Sequence, residues 1–343
     1  MQPAPGAGVV SGWMPLAPPI ESFERLGEAF PLTADTERKR MLVIVNPYAT
    51  TVSDRLKNLV VYALQGRYDV EAVETQRPSH ATDLCREASL EGYDVVVAFG
   101  GDGTVNEAAN GLVGSDTPLT CLPGGATNVF CKMLGIPGDI VDATEHLLRI
   151  ADDWRPRKVD VGTVNGRRFT FSCGVGIDAS VVERVDAHPR LKSRFGPYYF
   201  TWAALSTFWR SYVINPPRMT VELPDGTTHE GVTAIVQNSD PFTYFQNRPL
   251  HVAEGATLQS GDLAGVVLRR STPTVMPTVL WRIFSRNARI VRHRAISGFG
   301  GVDGLVIRSA DGRALPIEVD GDFIGAVDEA VFGLEHAALS VVG

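Results

Sequence analysis

The sequence predicts an α/β fold in which an N-terminal domain built on a parallel sheet precedes an antiparallel β-sandwich domain. Up to about residue 155, short apolar runs alternate with helical patterns, as in strand-helix-strand units with right-handed crossovers. From Lys158 onward, Asn-Gly and Asp-Gly pairs separate apolar or alternating runs, which indicates hairpins. These pairs are Asn165-Gly166, Asp225-Gly226, Asp311-Gly312 and Asp320-Gly321. A length of 343 residues also favours two domains over one.

These patterns set the domain boundaries. Residues 1–40 are predicted to be a flexible extension, because the first twenty are rich in Pro, Gly and Ala and show little periodicity. We assign residues 41–157 to the α/β domain and residues 158–330 to the β-rich domain. Residues 331–343 supply a last strand that can return to the first domain.

The first domain begins with the strand Met41–Val45, the helix Asp54–Gln65 and the strand Val70–Thr75. Val95–Phe99 is an unbroken apolar run, which is typical of a parallel strand buried on both faces. Ligands of such sheets bind at the carboxyl ends of the strands. Polar or glycine-rich turns follow the strands there, at Asn46, at Thr75, around Asp102 and after Pro123.

The turn after Phe99 is the most informative segment. Gly100, Gly101 and Gly103 can turn backbone N–H groups toward an anion, and Thr104 and Glu107 have capping-box spacing for a helix that begins at Val105. The simplest interpretation is a tight strand-to-helix turn. It leaves Asp102 unexplained, because a carboxylate repels phosphate unless it binds a metal or takes a proton. The turn therefore favours phosphoryl-transfer chemistry.

These residues, together with Asn106-Glu107 and Asn110-Gly111-Leu112, resemble the diacylglycerol kinase catalytic family, which includes bacterial lipid kinases and sphingosine kinases. NAD kinases share the glycine-aspartate signature. The segment from Pro123 to Phe130, PGGATNVF, is more discriminating, since it is similar to the Pro-x-Gly-Thr-x-Asn-x-Phe loop of the lipid kinases. Ala126 departs from that pattern, and Lys132 stands where the family usually has arginine.

The resemblance implies a fold like that of NAD and diacylglycerol kinases, with ATP and Mg²⁺ as cofactors. It also implies the nucleotide contacts. They are Asn46, Thr75, Gly100, Gly101, Asp102, Gly103, Thr104, Asn106, Glu107 and Gly321. Lipid contacts are expected from Gly125, Asn128 and Asp178, the last within a segment similar to the family's Gly-x-Gly-x-Asp-Ala.

Asp320-Gly321-Asp322 resembles the family's Asp-Gly-Glu, with the final acid shortened. A hairpin turn needs only the first two of these residues, which leaves Asp322 to be explained. In bacterial relatives the final acid is the general base, whereas sphingosine kinases use the aspartate that matches Asp102. We predict both acids to be catalytic and to hold the Mg²⁺ of the nucleotide. Asp262 is a weaker candidate for the structural Mg²⁺ of the bacterial relatives.

Composition limits the function classes. A net charge of −7 argues against a nucleic-acid-binding protein. The four cysteines, Cys85, Cys121, Cys131 and Cys173, form no Cys-x-x-Cys pair, which argues against a zinc site or a disulfide framework. No signal peptide and no apolar run long enough to span a membrane are present. We therefore expect a cytoplasmic protein with reduced thiols.

Between Asp262 and Asp303 the chain has no acidic residue but seven arginines, at 269, 270, 282, 286, 289, 292 and 294. Pro277 can begin a helix that carries apolar residues on one side and arginines on another. The apolar positions are Leu280, Ile283, Phe284 and Val291, and the basic ones are Arg282, Arg286 and Arg289. A solvated helix is one interpretation. A lipid kinase, however, would use such a face for peripheral attachment to an anionic membrane.

The expected activity is ATP-dependent phosphorylation of a lipid hydroxyl, with diacylglycerol as the first substrate class and a sphingoid base as the second. Two alternatives stay open at this point: an enzyme of the NAD kinase branch, and a lipid- or nucleotide-binding relic without catalysis. The departures at Thr50, Ala126 and Asp322 motivate the relic. The sequence also leaves a homodimer open.

Overall fold

The computed structural model describes residues 38–49, 52–151, 153–176, 179, 216–245, 248–285 and 287–343. Most of the predicted extension, residues 1–37, lies outside these ranges. So do the predicted lipid contact Asp178, the basic residue Arg286, and Thr50.

Four parallel strands form the sheet of the first domain, in the order β2-β1-β3-β4. They are β1 Arg40–Val45, β2 Asp69–Glu74, β3 Val95–Gly100 and β4 Leu119–Pro123. The helices of this domain are α1 Asp54–Leu64, α2 His80–Glu91, α3 Asp102–Leu112, α4 Val129–Met133 and α5 Ile140–Ile150. Every residue of β3 is buried, as its unbroken apolar run predicted.

The parallel sheet does not end at the first domain. Strand β18, Glu329–Val341, pairs in parallel with β4 through Val341 and Leu119, and antiparallel with β5, Arg157–Val164. It also pairs with β15, Gly304–Ser309, which leads to β8, Met219–Glu222, and β9, Thr228–Gly231. With β6, Arg167–Phe169, this makes one sheet of ten strands. A single strand near the chain end thus links both domains through backbone hydrogen bonds.

A second, antiparallel sheet of six strands completes the sandwich, in the order β14-β13-β10-β7-β16-β17. These strands are β7 Ser172–Val175, β10 Thr233–Gln237, β13 Leu263–Leu268, β14 Ile296–Val302, β16 Leu315–Val319 and β17 Asp322–Val327. A small hairpin, β11 Thr243–Phe245 with β12 Arg248–Leu250, stands apart. The shared core contains Phe169, Met219 and Phe332 from the large sheet and Val236 and Ile317 from the small one. The predicted fold class is confirmed.

Three of the four predicted hairpins form. Asn165-Gly166 joins β5 to β6 and Asp320-Gly321 joins β16 to β17, each with positive φ at both residues. Asp225-Gly226 lies between the paired strands β8 and β9. The prediction for Asp311-Gly312 is wrong, because this turn carries the chain from β15 in one sheet to β16 in the other. A turn signal reports a local reversal of direction and not which strand lies beside which.

The arginine-rich helix is shorter than predicted. Helix α6 spans Met276–Phe284, and Val291 lies in a separate 3₁₀ turn, Ile290–Arg292. Ser285, in an extended conformation, ends the helix. Arg289 is therefore not on the helix, although Nη1 of Arg282 donates to its carbonyl oxygen at 2.9 Å. Within the described ranges, no helix has the length and apolar character needed to cross a membrane.

Candidate active site

The two glycine-rich turns lie side by side because they follow the adjacent strands β3 and β4. The backbone N–H of Gly124 donates to the carbonyl of Gly100 at 2.9 Å. A methyl carbon added to Gly124 would lie 2.9 Å from Cα of Gly100, and one added to Gly125 would lie 2.7 Å from Cα of Gly101. Gly124 and Gly125 are therefore required because a side chain at either position would prevent the two turns from packing against each other. This contact forms a floor of backbone beside the start of α3.

Helix α3 begins at Asp102, three residues earlier than predicted, with Gly101 as its N-cap. The predicted capping box is wrong. Oγ1 of Thr104 accepts from the amide of Asn46 at 3.0 Å, and the Glu107 carboxylate accepts from the backbone N–H of Ser79 at 2.8 Å. Since no side chain caps the helix, its first N–H groups and its positive dipole end remain available to an anion.

Asp102 lies at this helix start, in the partly buried space between the two turns. Its Oδ1 accepts from the backbone N–H of Phe130 at 3.2 Å. Burial raises the pKa of Asp102 to about 6, and the negative charges of Asp320 and Asp322 add to the rise. The N–H groups of Val129 and Phe130 oppose it. This carboxyl therefore titrates close to neutral pH, as is common for groups at catalytic sites.

Asp322 reaches the same place from the other domain. It begins β17, and a methyl carbon added to Gly103 would lie only 2.4 Å from its Oδ2. The carboxylate therefore packs against the first turn of α3, where only a glycine leaves room for it. The two acids predicted to be catalytic are 220 positions apart in sequence and adjacent in space.

Asp320 holds this arrangement in place. Its Oδ2 accepts from the Asn106 amide at 2.7 Å and from Thr170, through the backbone N–H at 2.7 Å and the hydroxyl at 2.8 Å. Its Oδ1 accepts from the N–H groups of Phe171 and Ser172. Burial raises the pKa of Asp320, while the backbone donors oppose that rise. The sequence suggested only a turn residue here; a buried anchor between domains was missed.

Asn106 was predicted to contact nucleotide, but it is 3% exposed and its amide serves Asp320 and the carbonyl of Arg168. We therefore give Asn106 a structural role. Glu107 also has a structural role, because its carboxylate accepts from backbone N–H groups at the start of α2. Asn128 closes its own loop, since its side chain accepts from the N–H and donates to the carbonyl of Gly125, each at 2.8 Å. Its predicted lipid contact stays a prediction.

The remaining predicted residues are placed as follows. The N–H of Thr75 donates to Val45, which puts Thr75 directly after β2 at the edge shared with Asn46. The N–H of Gly321 donates to Oε2 of Glu318 at 2.8 Å. Oδ1 of Asp262 is buried without a hydrogen-bond partner. Among the described residues, no group of three or more His, Cys, Asp or Glu side chains is arranged to hold a metal ion.

We expect Gly103→Ala to fold normally and to lose most activity. The methyl group would meet the end of the Asp322 side chain, which can rotate away at small cost to the fold. Thermal unfolding and steady-state kinetics on one preparation test this. Gly300→Ala, in β14, is a control outside the site, because its methyl group would lie 3.6 Å from the nearest atom, Cβ of Ala264. Full activity in Gly103→Ala would show that Asp322 need not occupy this position.

Comparison with known proteins gives a family match for part of this chain. Residues 40–164 match the diacylglycerol kinase catalytic domain. The resemblance seen in the sequence is thereby confirmed for this part of the chain. A protein named diacylglycerol kinase from Bacillus subtilis (strain 168) is 35% identical over 147 residues, which are 40% of this chain and 46% of that protein. A protein of the same name from Staphylococcus aureus (strain bovine RF122 / ET3-1) is 32% identical over 169 residues, which are 48% of this chain and 51% of that protein.

The chain thus spans about half the length of the curated relatives it matches. A crystal structure of a diacylglycerol kinase from Bacillus anthracis str. Sterne superimposes with a TM-score of 0.67 at 23% identity, covering 90% of this chain and 98% of that one. This likeness shows that the fold extends beyond the diacylglycerol kinase catalytic domain into the β-sandwich. Asp102 lies inside the matched domain, whereas Asp320 and Asp322 lie outside it.

Proposed function

We propose that the protein is a lipid kinase that transfers the γ-phosphoryl group of ATP to a lipid hydroxyl, with diacylglycerol as the first substrate class and a sphingoid base as the second. One observation carries the proposal. The carboxylate of Asp322 lies against Gly103 in the first turn of helix α3, whose uncapped start is Asp102, beside the paired glycine turns, and its charge raises the pKa of Asp102. An acceptor for the alcohol proton and a binding surface for phosphate are then next to each other.

In the proposed reaction, the phosphates of ATP lie on the backbone of the glycine turns and the first N–H groups of α3. The lipid hydroxyl oxygen attacks the γ-phosphorus, the bond from that phosphorus to the bridging oxygen of ADP breaks, and Asp322 takes the hydroxyl proton. Asp102 is held by Phe130 and faces the same space. Its position orients the phosphate end of the nucleotide and allows it to share the role of base.

The residues also fit the Mg²⁺ that accompanies ATP. Magnesium in such sites is held by one or two carboxylates together with substrate phosphates and water, and not by an all-protein cage. Asp102 and Asp322 would supply these carboxylates. When bound, the ion would offset the mutual repulsion of the two acids and of the phosphates.

Radiolabelled ATP with a panel of diacylglycerol, sphingosine and NAD tests the proposal directly. A labelled lipid that forms with the wild-type chain and much more slowly with Asp102→Asn supports it. Labelled NADP in place of a lipid product would move the protein to the NAD kinase branch. ATP binding without transfer to any acceptor would favour the relic.

The pKa of Asp102 leads to a pH prediction. Because Asp102 acts in its ionised form and its pKa is raised to about 6, kcat/KM should fall about tenfold per pH unit below that value. This fall of kcat/KM at low pH should be absent in Asp102→Asn, whose residual activity can be followed with concentrated enzyme. A profile that is flat from about pH 5 to about pH 8 in the wild-type protein would contradict the role of Asp102.

Stability offers an independent check of the same pKa. The folded-state pKa lies above the ordinary aspartate value of 3.8, so the folded protein binds more protons than the unfolded chain between about pH 4 and 6. The contribution of Asp102 to the free energy of unfolding therefore falls as pH rises through that window. Asp102→Asn should raise Tm at pH 7.5 relative to wild type, by roughly a few degrees, but have little effect near pH 4.

A further inference from the structure

Four large apolar side chains on the β-sandwich domain are exposed to solvent close to one another. They are Phe245 at 52%, Leu280 at 47%, Trp281 at 64% and Phe284 at 44% exposure. We call these four residues the aromatic patch. Single exposed apolar residues are common on protein surfaces, whereas a contiguous group that includes tryptophan and two phenylalanines marks an interaction surface.

Two elements build the aromatic patch. At 100° per residue, Leu280, Trp281 and Phe284 lie on the side of helix α6 opposite Val279, which is buried with 4% exposure. Phe245, at the end of β11, packs edge-to-face on Phe284 with ring centroids 5.5 Å apart. The helix therefore attaches by its Val279 side and presents the aromatic patch outward, with the β11–β12 hairpin extending it.

The charged residues around the aromatic patch are mainly basic. Arg292 and Arg294 are exposed, and they flank His293, whose Nε2 lies 2.9 Å from the Thr278 hydroxyl of α6. Residues 263–302 contain no acid, and Glu254 from outside this segment pairs with Arg289 at 3.1 Å. Aromatic side chains among arginines match the boundary between the anionic headgroups and the acyl chains of a membrane.

The patch is also joined to the site by a short path. Tyr244, beside Phe245 in β11, places its ring 4.5 Å from Nζ of Lys132. Lys132 lies in α4, the helix whose Phe130 N–H holds Asp102. A lipid surface that contacts the aromatic patch is therefore linked, through one hairpin and one short helix, to the glycine turns.

We propose that the aromatic patch inserts into the interface of an anionic lipid bilayer, with the neighbouring arginines contacting headgroup phosphates. This inference rests on the proposed lipid kinase function, since it supplies the surface on which the enzyme meets its substrate. The proposal differs from the hypothesis drawn from the sequence, in which an arginine-covered helix binds the membrane by its charge. Helix α6 ends at Phe284, and its outward side is apolar. Insertion of apolar side chains and attraction of arginines act together.

Sedimentation of the full chain with vesicles tests the proposal without reference to catalysis. Vesicles of equal parts phosphatidylcholine and phosphatidylglycerol are compared with phosphatidylcholine alone. The double variant Trp281→Ser, Phe284→Ser should bind the anionic vesicles about tenfold or more weakly, because each aromatic side chain loses its transfer into the interface. Arg292→Gln with Arg294→Gln should weaken binding and reduce its dependence on salt.

The matched control is Tyr62→Ser with Leu90→Ser, which removes side chains 71% and 87% exposed on α1 and α2 of the other domain. It should bind like wild type. Vesicle binding that is unchanged in the Trp281, Phe284 variant overturns the proposal even if lipid kinase activity is intact. A patch variant that instead converts a dimer to a monomer on gel filtration, with vesicle binding retained, overturns it in favour of contact between two copies. If the wild-type protein has no kinase activity but binds vesicles, and the Trp281, Phe284 variant loses that binding, the membrane-binding surface is supported and the proposed kinase function is rejected.

Discussion

Asp322→Asn is expected to lower kcat by about 10²–10⁴-fold while leaving the fold in place, because a positioned general base contributes a factor of this size. The amide is nearly the same size as the carboxylate and can occupy the space against Gly103. It cannot take the proton of the lipid hydroxyl. Steady-state kinetics with saturating ATP, alongside thermal unfolding, measures both effects.

Asp328→Asn is a suitable control, because Asp328 is an exposed acid of the same β-sandwich, just after β17. It should keep wild-type kinetics. Asp322→Glu restores the acid of the family pattern and should retain more activity than Asp322→Asn. Turnover in Asp322→Asn within a factor of a few of wild type would remove this residue from the mechanism and leave Asp102 as the base.

The second large effect is expected on stability. Asp320→Ala should reduce the free energy of unfolding by about 3–5 kcal/mol, because it leaves buried donors without an acceptor and each such donor costs about 1–3 kcal/mol, in a way that is not additive. The five donors come from Asn106, Thr170, Phe171 and Ser172, so both domains are affected. Urea unfolding followed by circular dichroism gives the size of the loss.

Asp225→Ala provides the comparison, since Asp225 also precedes a glycine in a hairpin turn but is exposed and its Oδ1 accepts from the N–H of Thr227. Its cost should stay below about 1 kcal/mol. Hydrogen exchange adds a spatial test, in which Asp320→Ala should lose protection around Thr170 and at the end of β16. Equal stability losses in the two variants would mean that Asp320 is an ordinary turn residue.

Local sequence was sufficient for the order and type of the main elements. The apolar run Val95–Phe99 predicts a buried parallel strand, and it is one. The glycines after it predict a turn where backbone approaches a ligand, and the resemblance carried by Asp102 and the PGGATNVF loop indicates the catalytic domain that residues 40–164 match. These properties depend on side-chain periodicity and on glycine chemistry, which act over a few residues.

Contacts between distant segments could not be derived in this way. The sequence suggested a capping box at Thr104 and Glu107, but tertiary partners, Asn46 and the start of α2, take those two side chains. It predicted a long amphipathic helix up to Val291, whereas the chain leaves the helix at Ser285. Periodicity cannot tell whether a polar atom finds its partner within the helix or on another element.

The sequence by itself determined that this chain carries a glycine-rich turn with an acid in it, on an α/β domain followed by a β-rich one. Only the tertiary structure showed that the two acids of the last hairpin turn have different surroundings. Asp320 and Asp322 are two residues apart in one turn, yet Asp320 is buried among five donors and Asp322 faces Gly103 beside Asp102. The hairpin turn between β16 and β17, with positive φ at Asp320 and Gly321, points the two side chains differently, and the hydrogen bond from Asn106 to Asp320 holds the turn against helix α3.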